Sequence, residues 1–228
     1  MKNDIEAENQ TKGRTRPILY TVAVAAAFAV AVPRPAYARD EIIVPSVPFN
    51  LVVDATANVP FLVGHAFGSQ NYVCLPASNA AGVAFTLFTP EATLLDDEGE
   101  QIITHFFAPN PDEPIAPNSN PALNAIGLIR AAWQDSHDGS TVWAAVLNGA
   151  ASTDETFVEK GAVAWLKLTK VGDERGTTGG DRLTKTTFIQ RLNTHGGVAP
   201  STGCTSPADI GHLAFMPYTA DYFFYKKR

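Results

Sequence analysis

The chain has 228 residues, with 17 basic and 23 acidic side chains and a formal charge of −6. That length suits one domain with a core of its own. The acidity argues against nucleic acid, whose phosphates require a basic surface, and against adsorption to anionic lipid.

The N-terminus carries the first signal. Lys2, Lys12, Arg14 and Arg16 precede an apolar run from Ile18 to Val32, and Ala36-Tyr37-Ala38 follows Pro33. A basic segment, a short apolar stretch and a small-x-small site predict a signal peptide over residues 1–38, cut after Ala38. The run is shorter than the roughly 20 apolar residues of a membrane span, so no stable span is expected after cleavage. The expected location is secreted or periplasmic. Beyond Ala38, 190 residues remain, with 12 basic against 20 acidic side chains, a charge of −8.

Residues 39–228 read as a single all-β domain. Ile42–Val44 and Leu51–Val53 are short apolar runs broken by Pro45 and Pro48, as in a lead-in or an edge. Phe61–Val63 and Gln70–Leu75 are strand segments on either side of Gly64 and Gly68. Phe85–Phe88 is a buried-strand segment. Thr93–Leu95 and Gln101–Phe107 flank Asp96-Asp97-Glu98-Gly99, a hairpin pattern. Residues 108–124 hold five prolines and several asparagines, which predicts a long exposed loop. Leu128–Trp133 and Thr141–Leu147 flank a polar turn and predict a second hairpin. Ala162–Thr169 and Thr186–Asn193 follow, separated by a Gly/Thr-rich turn. Tyr218–Tyr225 ends the series, with Tyr218, Ala220, Tyr222 and Phe224 on one side. Short strands with turn signals between them indicate an antiparallel sandwich or barrel-like domain with few or no helices.

Two cysteines, Cys74 and Cys204, complete the framework. An even count in an exported chain points to a bridge. A metal or catalytic thiol is the alternative, although neither cysteine has a Cys or His neighbour at ligand spacing.

Several chemistries can be assembled on paper. Ser140, His105 and Asp138 supply the parts of a hydrolase, without a Gly-x-Ser-x-Gly elbow. Asp138-Gly139-Ser140 also has the composition of an ordinary turn. His65, His105, His137, His195 and His212 are scattered and show no metal-binding spacing, so no metal and no cofactor are expected. Asp135, Asp138, Asp221 and Glu91 are the carboxylates available for glycosidase chemistry. Trp133, beside the polar turn, is placed to line a cleft with His105. Trp165 and Tyr72 are expected in the core. Arg191 and Asp221 are charged residues within apolar strands and are expected to form a buried structural pair.

Several segments are shared in order with one family. They include Ala66-x-Gly68-x-Gln70-x-Tyr72-x-Cys74, Thr89-Pro90-Glu91-Ala92, Asp138-Gly139-Ser140-x-Val142, Trp165-Leu166-x-Leu168, and Ile189-Gln190-Arg191-x-Asn193-Thr194-x-Gly196-Gly197. Cys204 and Pro217-Tyr218-x-Ala220-Asp221-Tyr222 complete the series. The chain resembles an uncharacterised exported family of unknown function with bacterial and fungal members. The resemblance implies an exported single domain and a Cys74–Cys204 disulfide, and it brings no activity. Residues 108–124 are longer than the family pattern, and Gly64-His65 departs from its more apolar residues. Some fungal members carry the label malate dehydrogenase. This chain has no Gly-x-Gly-x-x-Gly and no alternation of strand and helix, so the label finds no support in its residues.

The expected function is an exported module that binds a small molecule or a cell-surface component, with His105, Trp133, Asp138 and Ser140 as its ligand-binding residues. The alternatives are a secreted hydrolase with its site near His105, Trp133, Asp138 and Ser140, and a structural envelope or cell-wall protein.

Overall fold

The computed structural model describes residues 41–77, 82–114 and 127–228. The predicted leader, its cut site and residues 115–124 of the predicted loop lie outside the described residues. Eight strands form a closed antiparallel barrel: β1 (Asn58–Pro76), β2 (Val83–Leu95), β3 (Gln101–Asn110), β4 (Leu128–Asp135), β5 (Thr141–Ser152), β6 (Trp165–Glu174), β7 (Thr186–Gly196) and β8 (Leu213–Lys227). Strand order around the barrel is the order along the chain, and β8 closes on β1 through a long ladder from Asn58–Lys227 to Val73–Leu213. Closure gives every strand a neighbour on both sides and so covers most of the sheet edge, the usual weakness of an all-β chain. Among the described residues, no helix is long and apolar enough to cross a membrane.

Period-2 alternation sorts the side chains into two cores. Leu62, Ala66, Leu94, Ile103, Trp133, Val142, Leu168, Ile189, Tyr222 and Phe224 pack together inside the barrel. Leu51, Val158, Trp165, Leu192, Phe223 and Tyr225 form a second cluster outside, backed by Ile42, Val44, Val47 and Phe157. The proline-broken lead-in forms no strand. It wraps the outer face, where Gln190 Nε2 donates to the Leu51 carbonyl at 2.7 Å.

β1 runs unbroken through Gly64 and Gly68, which in the sequence look like interruptions. The glycines are there for space. A Cβ on Gly68 would lie 1.9 Å from the Glu91 carbonyl oxygen and 2.6 Å from Ala92 Cα. Only glycine lets β1 and β2 approach this closely.

The loop expected over residues 108–124 starts later than predicted. Ala108, Pro109 and Asn110 extend β3, paired with Arg130, Ile129 and Leu128. The β2–β3 ladder already ends at Ala92–His105. Phe107 turns its amide to the β2 side, toward Thr89 Oγ1 at 3.4 Å. Pro109, two residues on, therefore has its missing N–H on that same unpaired side, where a strand tolerates proline.

Cys74 and Cys204 are joined, with Cα atoms 5.5 Å apart across 130 residues of sequence. The bridge ties the segment between β7 and β8 to the end of β1.

Candidate functional site

The barrel's ends differ. The end formed by the β2–β3, β4–β5 and β6–β7 connections is filled. Leu183, in a 3-10 turn before β7, is fully buried in the inner core. The opposite end holds a cavity of about 290 Å³. Trp133 and His105 form one side of its floor, stacked with ring centroids 4.2 Å apart and planes 8° from parallel. Tyr222 leans on both rings, its centroid 5.2 Å from His105 and 5.6 Å from Trp133. Ala131, Ala144, Leu166 and Leu168 line the walls. Leu87, Ile129 and Val146 surround the mouth and remain 38%, 55% and 45% exposed.

His105 is buried, and its Nδ1–H donates to the Ala132 carbonyl at 2.8 Å. Burial pushes its pKa down to about 3, against the opposing effect of that hydrogen bond. The imidazole is therefore neutral, with Nε2 free of a proton. Burial also raises the pKa of Tyr222 and of Tyr218, whose hydroxyls meet at 3.3 Å. Both phenols stay protonated.

The predicted site residues separate into two pairs. His105 and Trp133 come together as cavity floor. Asp138 and Ser140 come together in the β4–β5 turn at the filled end. Asp138 Oδ1 accepts from the Ser140 amide at 2.8 Å and from Ser140 Oγ at 2.6 Å, while Oδ2 accepts from the Arg182 amide at 2.9 Å. Burial acts to raise the Asp138 pKa, but these bonds outweigh it and hold the carboxyl below its ordinary value. Ser140 Oγ also accepts from the Leu183 amide at 3.0 Å. The Gly/Thr-rich turn packs directly on this motif, since a Cβ on Gly176 would lie 1.8 Å from the Asp138 carbonyl oxygen. Asp138-Gly139-Ser140 thus locks the filled end, and no hydrogen bond joins it to His105.

Arg191 and Asp221 do not form the expected pair. Arg191 stands opposite Tyr222 and Asp221 opposite Leu192, which puts the two side chains on opposite faces of the sheet. Asp221 points outward, to His65 Nδ1 and Asn193 Nδ2, each at 2.7 Å. Burial lowers the His65 pKa, but bonds to Asp221 and Asp97 outweigh it and leave the value raised. Arg191 points into the cavity. Its Nε and Nη2 donate to the Ala164 carbonyl at 3.2 and 2.8 Å.

Gln70 is a cavity residue that the sequence marks only as the start of a strand segment. It is 2% exposed, and its Nε2 has no hydrogen-bond partner. Its spacing from Ala66 and Gly68 on an inward face was the available signal. The four candidate glycosidase carboxylates do not converge: Asp135 and Asp138 serve the filled end, Asp221 faces outward and Glu91 is exposed. Among the described residues, no carboxylate lines the cavity and no three metal-ligating side chains cluster. Trp165 is buried as expected, in the outer cluster, while Tyr72 is half-buried and donates to the Gly197 carbonyl at 2.7 Å.

No curated protein and no solved structure shows similarity to this chain. The family described as "Protein of unknown function (DUF3455)" matches residues 55–226, which span the barrel from just before β1 to the penultimate residue of β8, and the chain belongs to that family.

Proposed function

We propose that this protein is an exported binding module that holds a small molecule in the open end of its barrel. One observation carries the reading. A closed eight-stranded barrel, packed solid at one end, keeps a cavity of about 290 Å³ at the other, with an apolar rim. Eight strands enclose just enough room to be filled by side chains or to hold one small ligand. The volume is near the lower limit, about 300 Å³, of ordinary ligand pockets. The leader pattern and the Cys74–Cys204 bridge support an oxidising compartment. A hydrolase would need Ser140 beside His105, whereas the Ser140 hydroxyl is committed to Asp138. A purely structural role gives the cavity no purpose.

The test is native mass spectrometry of protein from its export compartment, followed by titration with the neutral fluorescent probe N-phenyl-1-naphthylamine. The expected result is a chain cut after Ala38 that binds one probe per barrel. Ala131→Trp, which fills the cavity, should abolish binding while the fold persists. Probe binding that survives Ala131→Trp would remove the cavity from the account.

A further inference from the structure

The cavity's polar groups are of one kind. Arg191 enters it with both observed hydrogen bonds spent on a single carbonyl, that of Ala164, and no described carboxylate within ion-pair reach. Gln70 Nε2 is a buried donor with no acceptor at hydrogen-bond distance, and the nearby Tyr218 hydroxyl meets that of Tyr222 at 3.3 Å. Among the described residues Trp133 Nε1 is also unpartnered, as are Trp143 Nε1, Trp165 Nε1 and Thr186 Oγ1 outside the cavity. His105 contributes no charge, being neutral. Arg130, also at the cavity, is already bound by Glu113, with Nη2 to Oε1 at 2.7 Å. The interior therefore offers one uncompensated cation and surplus donors, inside walls that are otherwise apolar.

Arg191 keeps partial access to solvent, whereas Gln70 is buried, and a buried donor left unfilled is costly. A ligand that covers Arg191 must answer its charge as well as that donor. A guanidinium fork matches a carboxylate in shape as well as in charge.

Resting on the binding reading above, we propose that the ligand is a small organic acid. Its carboxylate lies against Arg191 and Gln70, and its apolar body lies along the apolar lining of the cavity, among Ala131, Val146 and Leu166. A cationic ligand meets like charge there. A neutral one leaves the donors unfilled, and buried groups left unpaired reject such a ligand.

Isothermal titration calorimetry tests this with hexanoate, decanoate and dodecanoate, each set against the alcohol and the amine of equal length. The acid that fits best should bind about tenfold or more tighter than its alcohol, the worth of one charge-assisted hydrogen bond. The amine should bind least. Arg191→Leu should erase the preference for acid over alcohol while alcohol binding persists. If that variant does not fold, Gln70→Leu should reduce the same preference. An alcohol or amine that binds the unaltered protein as tightly as the acid overturns the proposal and leaves the cavity a binding site. Acids that fail to bind while N-phenyl-1-naphthylamine does bind have the same meaning. Failure of every probe overturns both readings.

Discussion

The two ends of the barrel use polar residues in opposite ways. At the filled end the carboxylates of the β4–β5 turn are answered. Asp135 Oδ1 accepts from the amides of His137 and Asp138, its Oδ2 from Arg182 Nη1, and Asp138 and Ser140 complete each other. At the open end Arg191 and Gln70 are answered in part or not at all. Both ends carry charged residues among apolar ones, so charge alone does not mark a site. Nor does an unpartnered donor alone, since among the described residues Trp143 Nε1, Trp165 Nε1 and Thr186 Oγ1 lack partners outside the cavity; what sets the open end apart is that Arg191 and Gln70 line a cavity.

The largest effect expected to sharpen this contrast lies at the boundary, in His105. Its folded pKa of about 3 stands against an ordinary 6.5. Between those values the unfolded chain binds a proton that the native barrel refuses, so stability falls as pH drops through that window. The loss reaches up to about 5 kcal/mol once pH nears 3. His105→Gln should flatten that part of the curve, as read from urea midpoints at about pH 7 and about pH 4. Identical pH dependence in the two proteins would mean that the imidazole reaches water and that the floor is not sealed.

Next is the disulfide, which belongs to the open end. Replacing Cys74 and Cys204 by alanine should cost up to about 5 kcal/mol by the chain-entropy argument for so long a loop. Hydrogen exchange should rise in residues 197–212 while the amide of Leu183 stays protected. Equal loosening at both ends would show that the barrel unfolds as one unit and that the contrast is only geometric.

Asp138→Ala should cost about 2–3 kcal/mol, because it strips acceptors from the Ser140 and Arg182 amides and from the Ser140 hydroxyl. Probe affinity at the open end should not change. A shift in affinity comparable to the stability loss would couple the two ends and break the comparison.

The smallest stability effect is expected for Arg191→Leu, within about 1 kcal/mol of the unaltered protein. The lost bonds to Ala164 are offset by relief of an uncompensated charge. Urea unfolding measures this directly. A loss as large as that of Asp138→Ala would return Arg191 to the structural role that its sequence context suggests.

Much of the fold was legible because strand signals are local. The pattern around Asp96-Asp97-Glu98-Gly99 predicted the β2–β3 hairpin, and the alternation over Tyr218–Tyr225 placed Tyr218, Ala220, Tyr222 and Phe224 on one side, which the barrel turns inward. Gly64 and Gly68 were read as breaks, since a glycine's lack of Cβ looks the same in a turn as in a crowded strand. Pro109 was read as loop, since its tolerance depends on which neighbour its absent amide faces. Of the site, His105 beside Trp133 was anticipated. Asp138 and Ser140 were grouped with them because they are near Trp133 in sequence, yet the chain turns at the end of β4 and carries them to the other end.

By itself the sequence determined the all-β class, the hairpin order and the two cysteines available for pairing. Each depends on residue type and on spacing over a few positions. Tertiary structure alone decided that the sheet closes, that Arg191 faces Tyr222 rather than Asp221, and that one end stays hollow. Those outcomes depend on register between strands far apart in the chain, where a shift of one residue exchanges inside for outside.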